Sequence, residues 1–289
     1  MRSSGRRSVV TVLVGAFIGV HASARPASLR PSGAPASPTL SEAQHLFYSG
    51  CYEAAAATAL ALRSPDAEDL AGYELRTSAL HFQIKRALGD AANKSKAFSH
   101  CVACPALMSD FLDDTAHGET LARRTLRTNP QDESALFFLG KLNLNFVWLQ
   151  LGTLGRRTGW DEYWEARRSL DQVLKRNPGH VRARVARAWI DYIVDTKLPR
   201  GTKWLVSGGS KKRALLAVRE AANAEADVFA QAEAGFALWD MEVREGNIPE
   251  AIVVAQRLAR DFPANQDLIR FLDAHDTTGT PDMLSLPVR

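Results

Sequence analysis

From Leu40 to about His275 the apolar residues return every third or fourth position, and no run of β-branched residues alternates with polar ones. That period puts side chains on one face of a helix, whereas a half-buried strand needs a period of two. In ARRSLDQVLKRNP, Ala166, Leu170, Val173 and Leu174 share a face. In EAIVVAQRLARDFP, Ala251, Ile252, Ala255 and Leu258 do the same. Each segment closes with a basic turn and then Pro178 or Pro263, which cannot continue a helix. The chain is therefore expected to be all-α.

The spacing also repeats. Ala166, Leu170, Val173 and Pro178 stand at intervals of four, seven and twelve, and Ala251, Ala255, Leu258 and Pro263 repeat them. Gly118, Ala122, Thr125 and Pro130 follow the same intervals. Gly246-Asn247 precedes Ala251 where a first helix would turn into a second, and Leu139-Gly140 fits the middle of a first helix. Residues 40–65, with Gly50-Cys51-Tyr52-Glu53-Ala54 and Pro65, read as one more pair. This pattern resembles the tetratricopeptide repeat (TPR). FLGKLNLN, WDEYWEARRSLDQVLKRNP and the stretch from Pro199 to Ala214 are similar to bacterial exported TPR-like proteins of unknown function. The resemblance covers residues 40–275. It implies an α-solenoid of antiparallel helix pairs, binding of a protein, peptide or small ligand in a concave groove, and no catalytic residue.

A plain TPR unit has about 34 residues. Pro130 to Pro178 is 48 residues, and Pro178 to Ala226 is 48 again. Two units are thus expected to be enlarged by about 14 residues each, over roughly Val147–Trp160 and Leu198–Ser210. In solenoids such insertions gather on one face, often the binding face.

The amino terminus reads as an address. Arg2, Arg6 and Arg7 precede the apolar run VVTVLVGAFIGV, and Ala22-Ser23-Ala24 follows. Basic start, short apolar run and small-residue exit mark a secretory signal peptide over 1–24. A span needs about 20 apolar residues, so an uncleaved membrane anchor is the alternative rather than the first reading. Residues 25–39 hold four prolines and no acid and read as a linker; 276–289 reads as a tail. A periplasmic or secreted chain follows, with no integral span after cleavage and peripheral association with the envelope left open.

The charge supports this division. The whole chain carries +4, with 36 Lys and Arg against 32 Asp and Glu. Loss of Arg2, Arg6, Arg7, Arg25 and Arg30 leaves 31 basic residues against the same 32 acids. A body near −1 gives no basis for binding nucleic acid.

Few residues suggest chemistry. Cys101-Val102-Ala103-Cys104-Pro105 offers a disulfide, either within the motif or between one of its cysteines and Cys51; the alternative is a redox or metal-handling role for Cys101 and Cys104. His100, Cys101, Cys104 and His117 lack the spacing of a complete zinc site, and neither a metal nor another cofactor is expected. Asp110, Asp113, Asp114 and Glu119 around His117 read as a solvated helix end, with a hydrolase pair as the sharper alternative. Trp160, Tyr163 and Trp164, with Trp148 upstream, form a packing seam or a ligand groove. Trp204, beside Lys203 in the second insert, is a recognition anchor or a plug. Gly208-Gly209-Ser210-Lys211-Lys212 lacks the spacing of a phosphate loop, and Ser210 reads as the cap of a helix beginning at Lys211. The pairs Arg123-Arg124, Arg156-Arg157 and Arg167-Arg168 read as solvated helix faces.

Overall fold

The computed structural model describes residues 38–63, 69–156, 158–197 and 209–275. The signal peptide, most of the linker, the tail, Lys203 and Trp204 lie outside the described residues.

Among the described residues there are twelve α-helices and no strand. They are α1 (Leu40–Tyr48), α2 (Tyr52–Ala61), α3 (Leu70–Leu88), α4 (Lys94–His100), α5 (Cys104–Thr128) and α6 (Glu133–Val147). After a π-helical segment (Trp148–Thr153) come α7 (Trp160–Arg176), α8 (Val181–Lys197), α9 (Lys211–Ala222), α10 (Val228–Glu245), α11 (Ile248–Asp261) and α12 (Gln266–Ala274). The boundaries follow local chemistry. Thr39, Asp69, Asp132, Ser210, Asp227 and Asn265 each accept a bond from a backbone N–H in the first turn of their helices. Such a cap is worth about 1 kcal/mol. Gly246 ends α10 in the left-handed region (φ +76°), which costs glycine little.

The helices pack in neighbouring pairs: α1 with α2, α3 with α5, α6 with α7, α8 with α9, and α10 with α11. Ala166, Leu170 and Val173 are fully buried, and so are Ala251 and Ala255. Burial of each Leu or Val of that kind contributes about 1.5–3 kcal/mol, so these positions hold the pairs together.

The first helices of the pairs also touch one another in series: α1 with α3, α3 with α6, α6 with α8, and α8 with α10. The series then closes, because α10 touches α1. Tyr48 stacks against Phe236 with ring centroids 5.6 Å apart, and Phe262 lies 5.6 Å from the same tyrosine. Asn265 Nδ2 donates to the Tyr48 carbonyl at 2.7 Å. The first and last pairs are thus joined by rings and by a buried hydrogen bond.

Part of the stretch Val147–Trp160 packs against α3 and α5. The π-helical segment closes with Leu154 N–H donating to the Leu149 carbonyl at 2.9 Å. Leu149 and Leu154 are buried in a cluster with Leu80, Ile84 and Phe111 of α3 and α5. Thr153 Oγ1 lies 2.7 Å from Nε2 of the buried His81. Burial, with Lys85 assisting, pushes that imidazole down to about 3, so it is neutral.

Candidate functional site

Two groups of charges occupy opposite faces of α8. One lies where the first helices meet. Glu74 comes from α3, Lys141 from α6, Arg182 from α8 and Glu233 from α10. Lys141 Nζ is 2.6 Å from Glu233 and 3.5 Å from Glu74. Arg182 is 2.5 Å from Glu233 and 3.0 Å from Glu74. Each cation therefore touches both acids, and the four side chains are no more than 18% exposed. Burial pushes the Glu233 carboxyl up, but Arg182 and Lys141 outweigh it and hold it at about 2. Burial works against charge on Lys141 and Arg182 too, and Glu233 and Glu74 raise both above their ordinary values. Burial and Glu233 together keep the Tyr48 hydroxyl protonated well past its usual range. Here α3, α6, α8 and α10 are bridged by their own side chains.

The second group lines a cleft of about 480 Å³ formed by α7, α8 and α9. At 100° per residue, Arg184 and Arg187 face well away from Arg182. Both line the cleft, with Arg167 of α7, Arg213 of α9 and one carboxylate, Asp191. Leu174, Pro178, Ala188 and Ala214 supply an apolar floor. Arg187 is 2.7 Å from Asp191 and 2.7 Å from Asp171. Arg184 is 2.7 Å from Glu220, whose side chain is 57% exposed. Such a cleft suits binding of an anionic group against an apolar surface, since guanidinium forks match carboxylate geometry.

The aromatic residues divide. Tyr163 is buried, Trp164 is half-buried, and Trp160 is 45% exposed at the start of α7. Their rings run in series, 6.0 Å from Trp160 to Tyr163 and 5.1 Å from Tyr163 to Trp164. Arg167 donates to the Tyr163 hydroxyl at 3.3 Å and lies 5.9 Å from the Trp164 ring centre. Two of the aromatic residues therefore position a cleft arginine. Arg167 is not simply on a solvated face, as the Arg167-Arg168 pair had suggested.

Cys101 and Cys104 form a disulfide where α4 gives way to α5, and Cys51 is free and exposed. The bond occupies the two thiols that a metal reading would need. Among the described residues no three His, Cys, Asp or Glu side chains cluster to hold an ion. His100 and His117 instead pair with backbone carbonyls of Lys96 and Asp113, at 2.7 and 2.9 Å.

The acidic segment is not a solvated helix end, because it lies inside the 25-residue α5. Asp114 is buried and held by Arg76 and by Arg63 (2.8 Å). Asp110 also pairs with Arg76 (2.7 Å), while Glu119 pairs with Arg123 (2.9 Å). Asp113 and His117 are exposed. Asp110 and Asp114 thus share Arg76, while Glu119 goes to Arg123.

The helix cap at Ser210 is found, accepting from the Arg213 N–H at 3.4 Å. No helix among the described residues is long and apolar enough to cross a membrane. Sequence reasoning missed the buried tetrad, although a signal for it exists. Lys141 is the only charge between Ser134 and Gly155, and Glu233 the only one between Val228 and Trp239. A lone charge in an apolar helix is costly unless it meets an opposite partner. No family model, characterised protein or solved structure matches the chain.

Proposed function

We propose that the protein is an exported, non-enzymatic binding scaffold, a TPR-like helical array that recognises a partner on its surface. The observation that carries this reading is the arginine-lined cleft of α7, α8 and α9, which joins a charged rim to an apolar floor. We favour it over a concave groove because it combines open volume with charge, whereas the tetrad of Glu74, Lys141, Arg182 and Glu233 ties α3, α6, α8 and α10 to one another. Export draws support from the amino-terminal pattern and from the Cys101–Cys104 disulfide, since such bonds persist in oxidising compartments.

The full chain, tagged at its carboxyl terminus and expressed in a bacterial host, tests the export reading. The chain recovered outside the cytoplasm should begin at Arg25. Retention in the cytoplasm with Met1 intact overturns it. For the binding reading, crosslinking of the purified mature chain in its own periplasmic or culture fraction should trap one discrete adduct that an Arg184→Gln, Arg187→Gln variant loses. An adduct indifferent to those changes counts against the cleft as the site, and no adduct at all counts against the scaffold.

A second reading, redox work by Cys101 and Cys104, has one observation in its favour. Cys104 N–H points at Cys101 Sγ (3.1 Å) at the amino end of a long helix, where a thiolate is stabilised. Equilibration with glutathione buffers tests it. A bond that stays oxidised throughout the buffer range removes this alternative.

A further inference from the structure

We infer that the cleft of α7, α8 and α9 takes an acidic peptide segment of a partner, with carboxylates on its arginines and an apolar side chain on its floor. The inference rests on the scaffold reading and names the chemistry of its ligand.

Charge complementarity selects the occupant. The lining holds Arg167, Arg184, Arg187 and Arg213 against the single carboxylate of Asp191. Asp171 and Glu220 stand at the rim, 50% and 57% exposed. They already pair with Arg187 and Arg184, so carboxylate is the group these forks hold in the free protein. A partner's Asp or Glu makes the same pairs by displacing an exposed rim carboxylate into water, where it is well solvated. Arg187, 16% exposed, is the fixed member, pinned between Asp171 and Asp191. Arg184 is the exchangeable member, because Glu220, its carboxylate partner, is the most exposed of the set.

The floor argues for a peptide rather than a free anion. Leu174, Pro178, Ala188, Ala214 and Ala217 give the cleft an apolar surface that phosphate or sulfate would leave wet. The chain's own amino-terminal segment is a poor occupant, since residues 1–41 contain no acid and five arginines. A cleft of about 480 Å³ also lies within the usual range of roughly 300–1,000 Å³ for ligand sites.

Glu220 gives the test its sign. As an internal competitor for Arg184, its neutralisation should strengthen binding, whereas loss of Arg184 should weaken it. The probe is a fluorescein-labelled eight-residue peptide alternating Glu and Leu, titrated with the purified, oxidised mature chain in low salt. Fluorescence anisotropy is read. Arg184→Gln is expected to weaken binding about tenfold, and Glu220→Gln to tighten it about threefold, as expected when one charge pair is broken or one competitor is removed. Arg168→Gln, an exposed change of equal charge outside the cleft, should alter affinity less than about twofold. A Gln–Leu version of the peptide should bind at least about tenfold more weakly than the Glu–Leu probe.

Equal weakening by Arg168→Gln and Arg184→Gln overturns the inference, as does no change with Glu220→Gln. Competition by millimolar inorganic phosphate as effective as that by the unlabelled peptide makes the cleft a free-oxyanion site and overturns the peptide assignment. Self-association of the wild type that Arg184→Gln abolishes makes the occupant a second copy, with the same consequence. The assay does not depend on export or on the crosslinked adduct. Failure here with a cleft-independent adduct removes only the assignment of the cleft, and success here with a cytoplasmic chain removes only the export reading.

Discussion

The two faces of α8 use the same side chains for different ends. On one face Arg182 joins Lys141, Glu74 and Glu233, two cations and two acids, buried and mutually satisfied. On the other face Arg184 and Arg187 join two further arginines over a cleft that holds one carboxylate, with Glu220 and Asp171 half-exposed beside them. Burial of the acids makes the difference, since the arginines of both sets are similarly covered. A charge withdrawn from water must meet its opposite with good geometry or unfold the protein, so the inner set is matched. A charge at the rim keeps its water, interacts weakly, and can change partner at little cost. The inner set therefore specifies how four helices meet, and the outer set, under the binding proposal, can exchange an exposed acid for a partner's.

The largest effect expected from this contrast lies inside. Glu233→Gln leaves Arg182 and Lys141 sharing one acid and should lower the unfolding free energy by about 3–5 kcal/mol in urea titration. Replacing Lys141 and Glu233 together by Met leaves the Glu74–Arg182 pair intact and should recover most of that loss. If Glu233→Gln costs under about 1 kcal/mol, the inner set is energetically no different from a surface one and the contrast breaks.

Acid titration separates the inner set from a second buried group, His81 of α3, without mutation. His81 is held near 3, below its ordinary 6.5, so the unfolded chain binds the extra proton between those values. Its contribution is complete above pH 6.5 and is lost as pH falls, by about 1.4 kcal/mol per pH unit. Glu233, held near 2 against an ordinary 4.5, contributes above pH 4.5 and loses that contribution below it. The two windows begin at different places. Between pH 6.5 and 4.5 His81 should cost the wild type about 3 kcal/mol, and His81→Gln should remove that part of the limb, leaving the smaller share of His180, which burial also lowers, and the limb below pH 4.5. A wild-type curve flat down to pH 4.5 refutes the assignment to His81.

The helix pairs were legible because their signals are local. Pro178 and Pro263 stop helices, Ser210 caps one, Gly246 turns the chain, and Ala166, Leu170 and Val173 face inward at a 3.6-residue period. Closure of the series from α1 to α10 was not legible, since it depends on small rotations summed over five pairs. The tetrad followed closure into obscurity, although Lys141 and Glu233 stood out as lone charges. The stretch Val147–Trp160 was expected on a binding face; Leu149 and Leu154 within it are buried, while Gly152, Gly155, Arg156 and Trp160 are exposed. Nothing in a repeat pattern says which way an added loop turns. Arg184 and Arg187 drew no notice among many arginines, because a cleft is a property of three helices together.

An intermediate effect checks whether helix packing, rather than charge alone, sets where the inner faces meet. A Cβ on Gly140 of α6 would lie 2.8 Å from Leu170 Cγ and 3.3 Å from the Ala166 carbonyl of α7, neither of which moves freely. On Gly235 of α10 the nearest atom is the Leu258 Cδ2, at 2.9 Å, the far end of a side chain that can turn. Gly140→Ala should therefore cost about 1–3 kcal/mol despite its better helix propensity. Gly235→Ala should cost less than Gly140→Ala. Reversal of that order in thermal melts would mean that the α6–α7 contact is the more pliable one, and that the tetrad, not the pair seam, holds α6 in place.

The smallest effect is expected outside, and it is the sharpest test of the comparison. Asp171 is 50% exposed, 2.7 Å from Arg187 and 3.8 Å from Arg167. On paper it serves as many arginines as Glu233 serves cations. Yet its removal leaves Arg187 with Asp191, and leaves water at the rim to solvate the rest. Asp171→Asn should change the unfolding free energy in urea by less than about 1 kcal/mol. The same substitution should tighten the acidic peptide, because it withdraws a rim carboxylate without emptying the cleft of arginine. A loss as large as that of Glu233→Gln would place the outer set in the same structural role as the inner one. Stability unmoved with affinity raised is the signature of charges that are arranged for a partner rather than for the fold.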